Sequence, residues 1–110
     1  LDFFERWCAR DSNVMNSALY LEMSVEATRN PPLAAALRAF DAGMRDEVRA
    51  WLGRRREEGG MGLAPAVAAE RALSLQCFID GLALRSAREP DLDRNQLRVA
   101  VQEMVDRLTG

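Results

Sequence analysis

The sequence predicts an all-α fold in which five helices form one bundle-like domain over residues 1–110. Apolar residues recur at the three- and four-residue spacing of a helix, and no stretch shows the alternation of a half-buried strand. Proline, glycine and capping residues separate five helical stretches. A chain of 110 residues with 48% hydrophobic residues is large enough for one domain with its own core.

The first two predicted helices cover Leu1–Arg10 and about Asn13–Arg29. An Asp-Ser-Asn turn separates them, and such residues cap the start of a helix. Besides its main apolar side, the second helix carries a separate apolar strip of Met15, Leu19 and Met23.

The third predicted helix covers Pro32–Glu58. Asn30 precedes it as a candidate N-cap, and proline is well tolerated in a first helical turn. One clean apolar stripe runs along it: Leu33, Leu37, Phe40, Met44, Val48 and Trp51. Glycines at positions 59, 60 and 62 predict a flexible loop after this helix.

The fourth predicted helix begins near Pro65 and runs to about Arg88, and the fifth covers Asp93–Leu108. Asp93 is a candidate N-cap of the fifth helix, with Gln96 at the capping-box position. A Glu-Pro-Asp turn separates the two helices.

The segment 72–84 within the fourth helix is apolar on two opposite sides. One side carries Leu75, Phe78, Ile79 and Leu82; the other carries Leu73, Cys77, Gly81 and Leu84. A surface helix needs only one apolar stripe, so this helix must be covered twice. Its own chain could surround it as the central helix of a five-helix bundle. A second copy of the chain is the favoured cover, because Gly81 lets a neighbouring backbone approach closely.

We therefore expect a homodimer in which the last two helices of each subunit form an intermolecular four-helix bundle with twofold symmetry. Val99 and Val105 on the fifth helix are left over for this contact. The predicted interface residues are Leu73, Cys77, Gly81, Leu84, Arg88, Arg98 and Val105.

A second set of apolar residues could line a cavity for a small apolar or amphipathic effector, since methionine adapts to irregular shapes. These residues are Met15, Leu19, Met23, Phe40, Met44 and Phe78. The alternative is that they are packed core. Glu22 and Glu26 could face a cationic ligand or bind a metal with help from other residues, although a solvated face beside Arg29 is favoured.

Asp80 stands in the middle of an otherwise apolar helix and needs a partner if it is buried. Arg88 of the same chain or an arginine of a second subunit would serve. Contact with a ligand is the less favoured alternative.

Composition excludes several other function classes. The chain has no histidine, which removes the commonest general base and zinc ligand, and no serine or cysteine has a partner to activate it. We therefore expect no enzyme, no metal site and no cofactor. The net charge of −2 argues against a nucleic-acid surface. Cys8 and Cys77 are interpreted as reduced core thiols, with a disulfide as the alternative.

No stretch approaches the length of a membrane span, and no secretory signal pattern opens the chain, so we expect a cytoplasmic protein without membrane contact. The chain starts inside a helical pattern without an initiator methionine. We interpret it as a fragment that lacks its N-terminal part.

The order of features resembles the C-terminal regulatory domain of TetR-type bacterial transcriptional regulators. The features are the arginine-rich end WLGRRREEGG, the glycine loop, the helix with FIDGLALRSAREPDLD and a final amphipathic helix. The resemblance covers essentially the whole chain and is strongest from about Val48 onward. It implies a homodimer that pairs through its last two helices, holds an effector among the others, and reads operator DNA through an N-terminal helix-turn-helix domain absent from these residues.

The sequence thus predicts the effector-sensing and dimerisation domain of a TetR-like regulator, most often a repressor. The alternative is a helical protein–protein adaptor without a ligand cavity. An enzyme is the least favoured interpretation.

Overall fold

The computed structural model describes residues 17–110, which form four α-helices, one short 3₁₀ helix and no strand. The elements are α1 (Ser17–Ala27), α2 (Pro31–Gly53), η1 (Arg56–Glu58), α3 (Pro65–Arg88) and α4 (Arg94–Thr109). Helices α1 to α4 correspond to the second to fifth predicted helices, so the all-α prediction is confirmed. The first predicted helix lies outside the described residues, as do Met15 and Cys8.

Two side-chain caps form at the helix starts where the sequence predicts them. The Asn30 side-chain oxygen accepts the Leu33 backbone N–H at 3.2 Å, ahead of α2. The Asp93 carboxylate accepts the N–H groups of Asn95 at 2.8 Å and Gln96 at 3.2 Å, ahead of α4. Both caps satisfy N–H groups that have no partner within the helix.

Helix α2 ends at Gly53, earlier than predicted, and the glycine loop that follows is bonded back onto it. The N–H groups of Met61 and Leu63 donate to the carbonyls of Trp51 at 3.2 Å and Leu52 at 2.9 Å. The carbonyls in the last turn of a helix have no hydrogen-bond donor within the helix, and here the N–H groups of the loop are their donors. The predicted flexible loop is therefore a hydrogen-bonded end of α2.

The core lies between α2, α3 and α4. It contains Leu52, Ala68, Ala72, Leu75, Leu82, Val101 and Val105. Helix α3 contributes most of these residues and packs against each of the other three α-helices. Among residues 17–110, none of the helices combines the length and apolar character that a membrane span requires.

Candidate functional site: the exposed face of α3 and its surroundings

Helix α3 has two apolar sides, and residues 17–110 cover only one of them. Leu75 and Leu82 are buried, whereas Leu73 exposes 50% of its surface and Leu84 exposes 39%. Helix α3 is also the central helix of the described fold. Central packing and an unpartnered face therefore occur on the same helix. We call Leu73, Cys77, Gly81 and Leu84 the interface face.

The surface in front of Gly81, within the interface face, is open. A Cβ atom added at Gly81 would meet no other atom within 4 Å. Cys77 is a free cysteine and is exposed, so the interpretation of this residue as a core thiol is wrong. Both residues are accessible from outside the chain.

The other predicted interface residues divide into surface and core. Arg88 and Arg98 are exposed, and Val99 is exposed on the side of α4 opposite Val101. Val105 is only 1% exposed because it packs in the core of its own chain. A second subunit therefore has no access to Val105, and this part of the predicted interface is corrected.

The five predicted ligand-contacting residues that the structure describes lie on three helices. Leu19 and Met23 on α1 and Phe40 on α2 are exposed. Met44 on α2 and Phe78 on α3 are half-buried, and Phe78 packs against the core. The packed-core interpretation therefore does not hold for the three exposed side chains.

The carboxylates Glu22 and Glu26 border a surface depression beside α1, together with Leu21, Val25 and Arg29. Glu26 accepts a hydrogen bond from Arg29 Nε at 2.8 Å, and both side chains are substantially exposed. This is the solvated face that the sequence favours. None of the predicted ligand-contacting residues that lie within 17–110 lines the depression.

Asp80 has a partner that the sequence analysis did not identify. The hydroxyl of Tyr20 on α1 donates a hydrogen bond to the Asp80 carboxylate, across 60 positions of the sequence. Asp80 is also exposed, so the condition under which it needed an arginine partner such as Arg88 is not met. Tyr20 is the single tyrosine of the chain, and its hydroxyl was the available signal.

One turn before Asp80, Gln76 links α3 to α2 through both atoms of its amide. Its oxygen accepts from Arg45 Nη1 at 2.8 Å, and its nitrogen donates to the backbone carbonyl of Asp41 at 2.7 Å. Gln76 and Asp80 are four residues apart and therefore share one side of α3.

The electrostatics of this cluster favour the protonated forms of two groups. Burial, followed by the hydrogen bond and the charge of Asp80, raises the pKa of Tyr20 well above its ordinary value. Burial and the negative charge of Asp80 also raise the pKa of Asp41, against the opposing charge of Arg45. Burial is the larger cause of both pKa shifts, and the negative charge of Asp80 acts in the same direction.

The fold and this exposed face define the class: a domain of packed helices with one apolar helix face left uncovered. The family model described as BetI-type transcriptional repressor, C-terminal, matches residues 3–110. The chain belongs to this family, which comprises C-terminal domains of TetR-type regulators. No curated protein and no solved structure matches it.

The family match confirms the resemblance and its coverage of nearly the whole chain. The chain is accordingly part of a transcriptional regulator of the repressor type. Regulators of the TetR family bind DNA and dimerise.

Proposed function

We propose that this chain is the effector-sensing and dimerisation domain of a TetR-type repressor that acts in the cytoplasm. Two copies pair through α3 and α4. A small apolar or amphipathic molecule binds beside α1 and α2 and changes the DNA affinity of a helix-turn-helix domain outside these residues. The observation that carries the proposal is the interface face, which keeps Leu73 and Leu84 in water when the chain is alone.

Burial of this face is the driving force for pairing. Removing apolar surface from water is favourable in proportion to its area, at roughly 25 cal/mol per Å². Because Gly81 has no side chain, the backbones of two α3 helices can approach closely. A twofold arrangement buries the same patch on both subunits, so one exposed face is enough.

The effector part of the proposal is supported by Leu19, Met23 and Phe40, which expose apolar surface on α1 and α2. Met44 and Phe78, on α2 and α3, are half-buried. Apolar walls with a few polar groups are typical of small-molecule sites. Tyr20 and Asp80 supply hydrogen-bonding groups near this region. The effector can shift the regulator only by its difference in affinity for two arrangements.

The dimer is tested with Gly81→Arg and a matched control, Gly43→Arg. A Cβ atom at either glycine meets nothing within 4 Å, and both glycines are exposed in helices. Replacing a helical glycine favours the helix by about 0.5–1 kcal/mol. Both variants should therefore fold at least as well as the wild type, but only Gly81→Arg places a charge in the interface.

Sedimentation equilibrium measures the oligomeric state of the wild type and of the two variants. We expect the wild type and Gly43→Arg to be dimers and Gly81→Arg to be a folded monomer. A Gly81→Arg protein that dimerises like the control would exclude the proposed face. A wild-type monomer would favour the adaptor interpretation, in which this face waits for a different protein.

The effector site is tested with a fluorescent amphipathic probe, anilinonaphthalene sulfonate, and two variants of α1. Leu19→Ala removes a proposed contact, and Val25→Ala removes an equally exposed side chain that lines the separate depression. We expect Leu19→Ala to weaken probe binding several-fold more than Val25→Ala. Equal effects of the two substitutions would show that the probe does not select the proposed site.

A further inference from the structure

The polar residues of α3 join three helices at one place. Gln76 is hydrogen-bonded to Arg45 Nη1 and to the Asp41 carbonyl of α2, at 2.8 and 2.7 Å. Asp80, one turn later, accepts a hydrogen bond from the hydroxyl of Tyr20 on α1. We call Tyr20, Arg45, Gln76 and Asp80 the clasp.

The clasp lies at the edge of the interface face. Gln76 directly precedes Cys77, and Asp80 directly precedes Gly81. Successive residues of a helix are separated by about 100° around its axis. Any rotation of α3 that moves the clasp residues therefore moves the interface face through the same angle.

The clasp adds directional contacts to the apolar packing of α3. Five residues of this helix are buried: Ala68, Ala72, Leu75, Leu82 and Ala83. Apolar attraction has no preferred direction, whereas hydrogen bonds weaken steeply when they are misaligned. The clasp therefore favours the rotation of α3 at which its hydrogen bonds are aligned.

We propose that the clasp sets the rotation of α3 and so couples the arrangement of α1 and α2 to the pairing of subunits. This inference rests on the proposed dimer. When the clasp is closed, the interface face is presented in the arrangement that pairs. When it is open, α3 samples other rotations and only a fraction of the subunits can pair, so the apparent dissociation constant rises accordingly.

The test measures the dimer dissociation constant and the unfolding midpoint in parallel, on the full chain. Tyr20→Phe removes one oxygen atom of the clasp, and Gln76→Leu removes both bonds to α2. Each variant should weaken dimerisation roughly three- to tenfold, the equivalent of one net hydrogen bond. Asp80→Asn keeps an acceptor oxygen and should weaken it less than Asp80→Ala does.

Two controls separate the clasp from general effects. Asp46→Asn removes a carboxylate that pairs with Arg49 within α2, at 2.8 Å, and should leave dimerisation unchanged. Val48→Ala removes apolar volume beside the core without touching the clasp. It should lower the unfolding midpoint and leave the dissociation constant within about twofold.

Each other result overturns a defined part of the inference. If Tyr20→Phe and Gln76→Leu leave dimerisation unchanged, the proposed role of the clasp is wrong, whereas the proposed dimer is unaffected. Equal weakening by Val48→Ala attributes the effect to lost stability and also removes the clasp. If the wild-type chain is monomeric, both the proposed dimer and the proposed role of the clasp are wrong.

Discussion

At the scale of single residues, Phe40 shows how a helical pattern identifies a face without identifying what covers it. Phe40 belongs to the apolar stripe of α2, yet it exposes 58% of its surface. Leu52, near the end of the same helix, is 0% exposed. The two residues therefore differ in burial although both are large and apolar.

This difference predicts the stability of two alanine variants. Leu52→Ala should lower the free energy of unfolding by about 2–5 kcal/mol, because it leaves a cavity in the core. Phe40→Ala should lower it by less than about 1.5 kcal/mol, because most of the ring is already in water. Urea denaturation of both variants provides the measurement. A loss at Phe40 as large as that at Leu52 would show that the ring is packed in solution.

Tyr20 predicts a spectroscopic signature, because it is the only tyrosine in the chain. Burial and its bond to Asp80 raise the pKa of Tyr20 above the ordinary value of 10.0. In ultraviolet absorbance titration, the midpoint should therefore lie above that of free tyrosine. Asp80→Asn should lower the midpoint by removing the negative charge, and Asp46→Asn should not. A wild-type midpoint at the ordinary value would contradict the Tyr20–Asp80 contact.

Asp41 predicts a dependence of stability on pH. Its pKa in the folded state is raised above 3.8 by burial and by Asp80, while Arg45 partly opposes the shift. Between these two pKa values the folded state binds more protons than the unfolded state, so stability falls as pH rises through this window. At neutral pH the charged carboxylate of Asp41 therefore slightly destabilises the folded state.

Asp41→Asn should therefore stabilise the fold at neutral pH, by about 0.5 kcal/mol or less because solvent screens an exposed group. The gain should vanish near about pH 3, where both states carry a protonated carboxyl. Denaturation of the variant and the wild type at the two pH values checks the sign. A variant that is less stable at neutral pH would show that the carboxylate is favourable in the fold.

At the scale of elements, the ends of the helices follow from local chemistry, but the loop after α2 does not. Asn30 and Asp93 cap α2 and α4 as their residue types predict. The glycines at 59, 60 and 62 indicate only a turn. The structure adds that Gly59 and Gly62 have positive φ, at 86° and 68°, and that Gly60 is buried against the backbone of Arg54.

Two glycine-to-alanine substitutions should consequently have opposite signs. A Cβ atom at Gly60 would overlap the carbonyl of Arg54, so Gly60→Ala should destabilise the fold by about 1–3 kcal/mol. Gly43→Ala in α2 meets nothing and should stabilise it by roughly 0.5–1 kcal/mol. Thermal unfolding of both variants distinguishes them. A tolerated alanine at position 60 would mean that the loop does not lie against the end of α2.

At the scale of the whole molecule, the interface face makes stability depend on concentration. If two copies share this face, dimerisation stabilises the folded state by mass action. The unfolding midpoint of the wild type should then rise with protein concentration, and that of Gly81→Arg should not. Calorimetry over about a hundredfold range of concentration measures this. Midpoints that are independent of concentration in the wild type would argue against a folded dimer.

The sequence by itself determined the all-α class, the order of the described helices, two of their caps and the apolar character of both sides of α3. These properties depend on residues a few positions apart, and local spacing and capping chemistry express them directly. It also determined the family, since the order of features along the chain carries the resemblance.

Only the tertiary structure decided which apolar residues are covered and which polar groups meet. In the folded chain Val105 is buried and Phe40 is exposed. Tyr20 contacts Asp80, which lies 60 positions away in the sequence. Helical periodicity assigns a residue to one side of its helix, whereas contacts depend on how separate helices pack together. That packing is a property of the whole chain, and local spacing therefore contains no record of it.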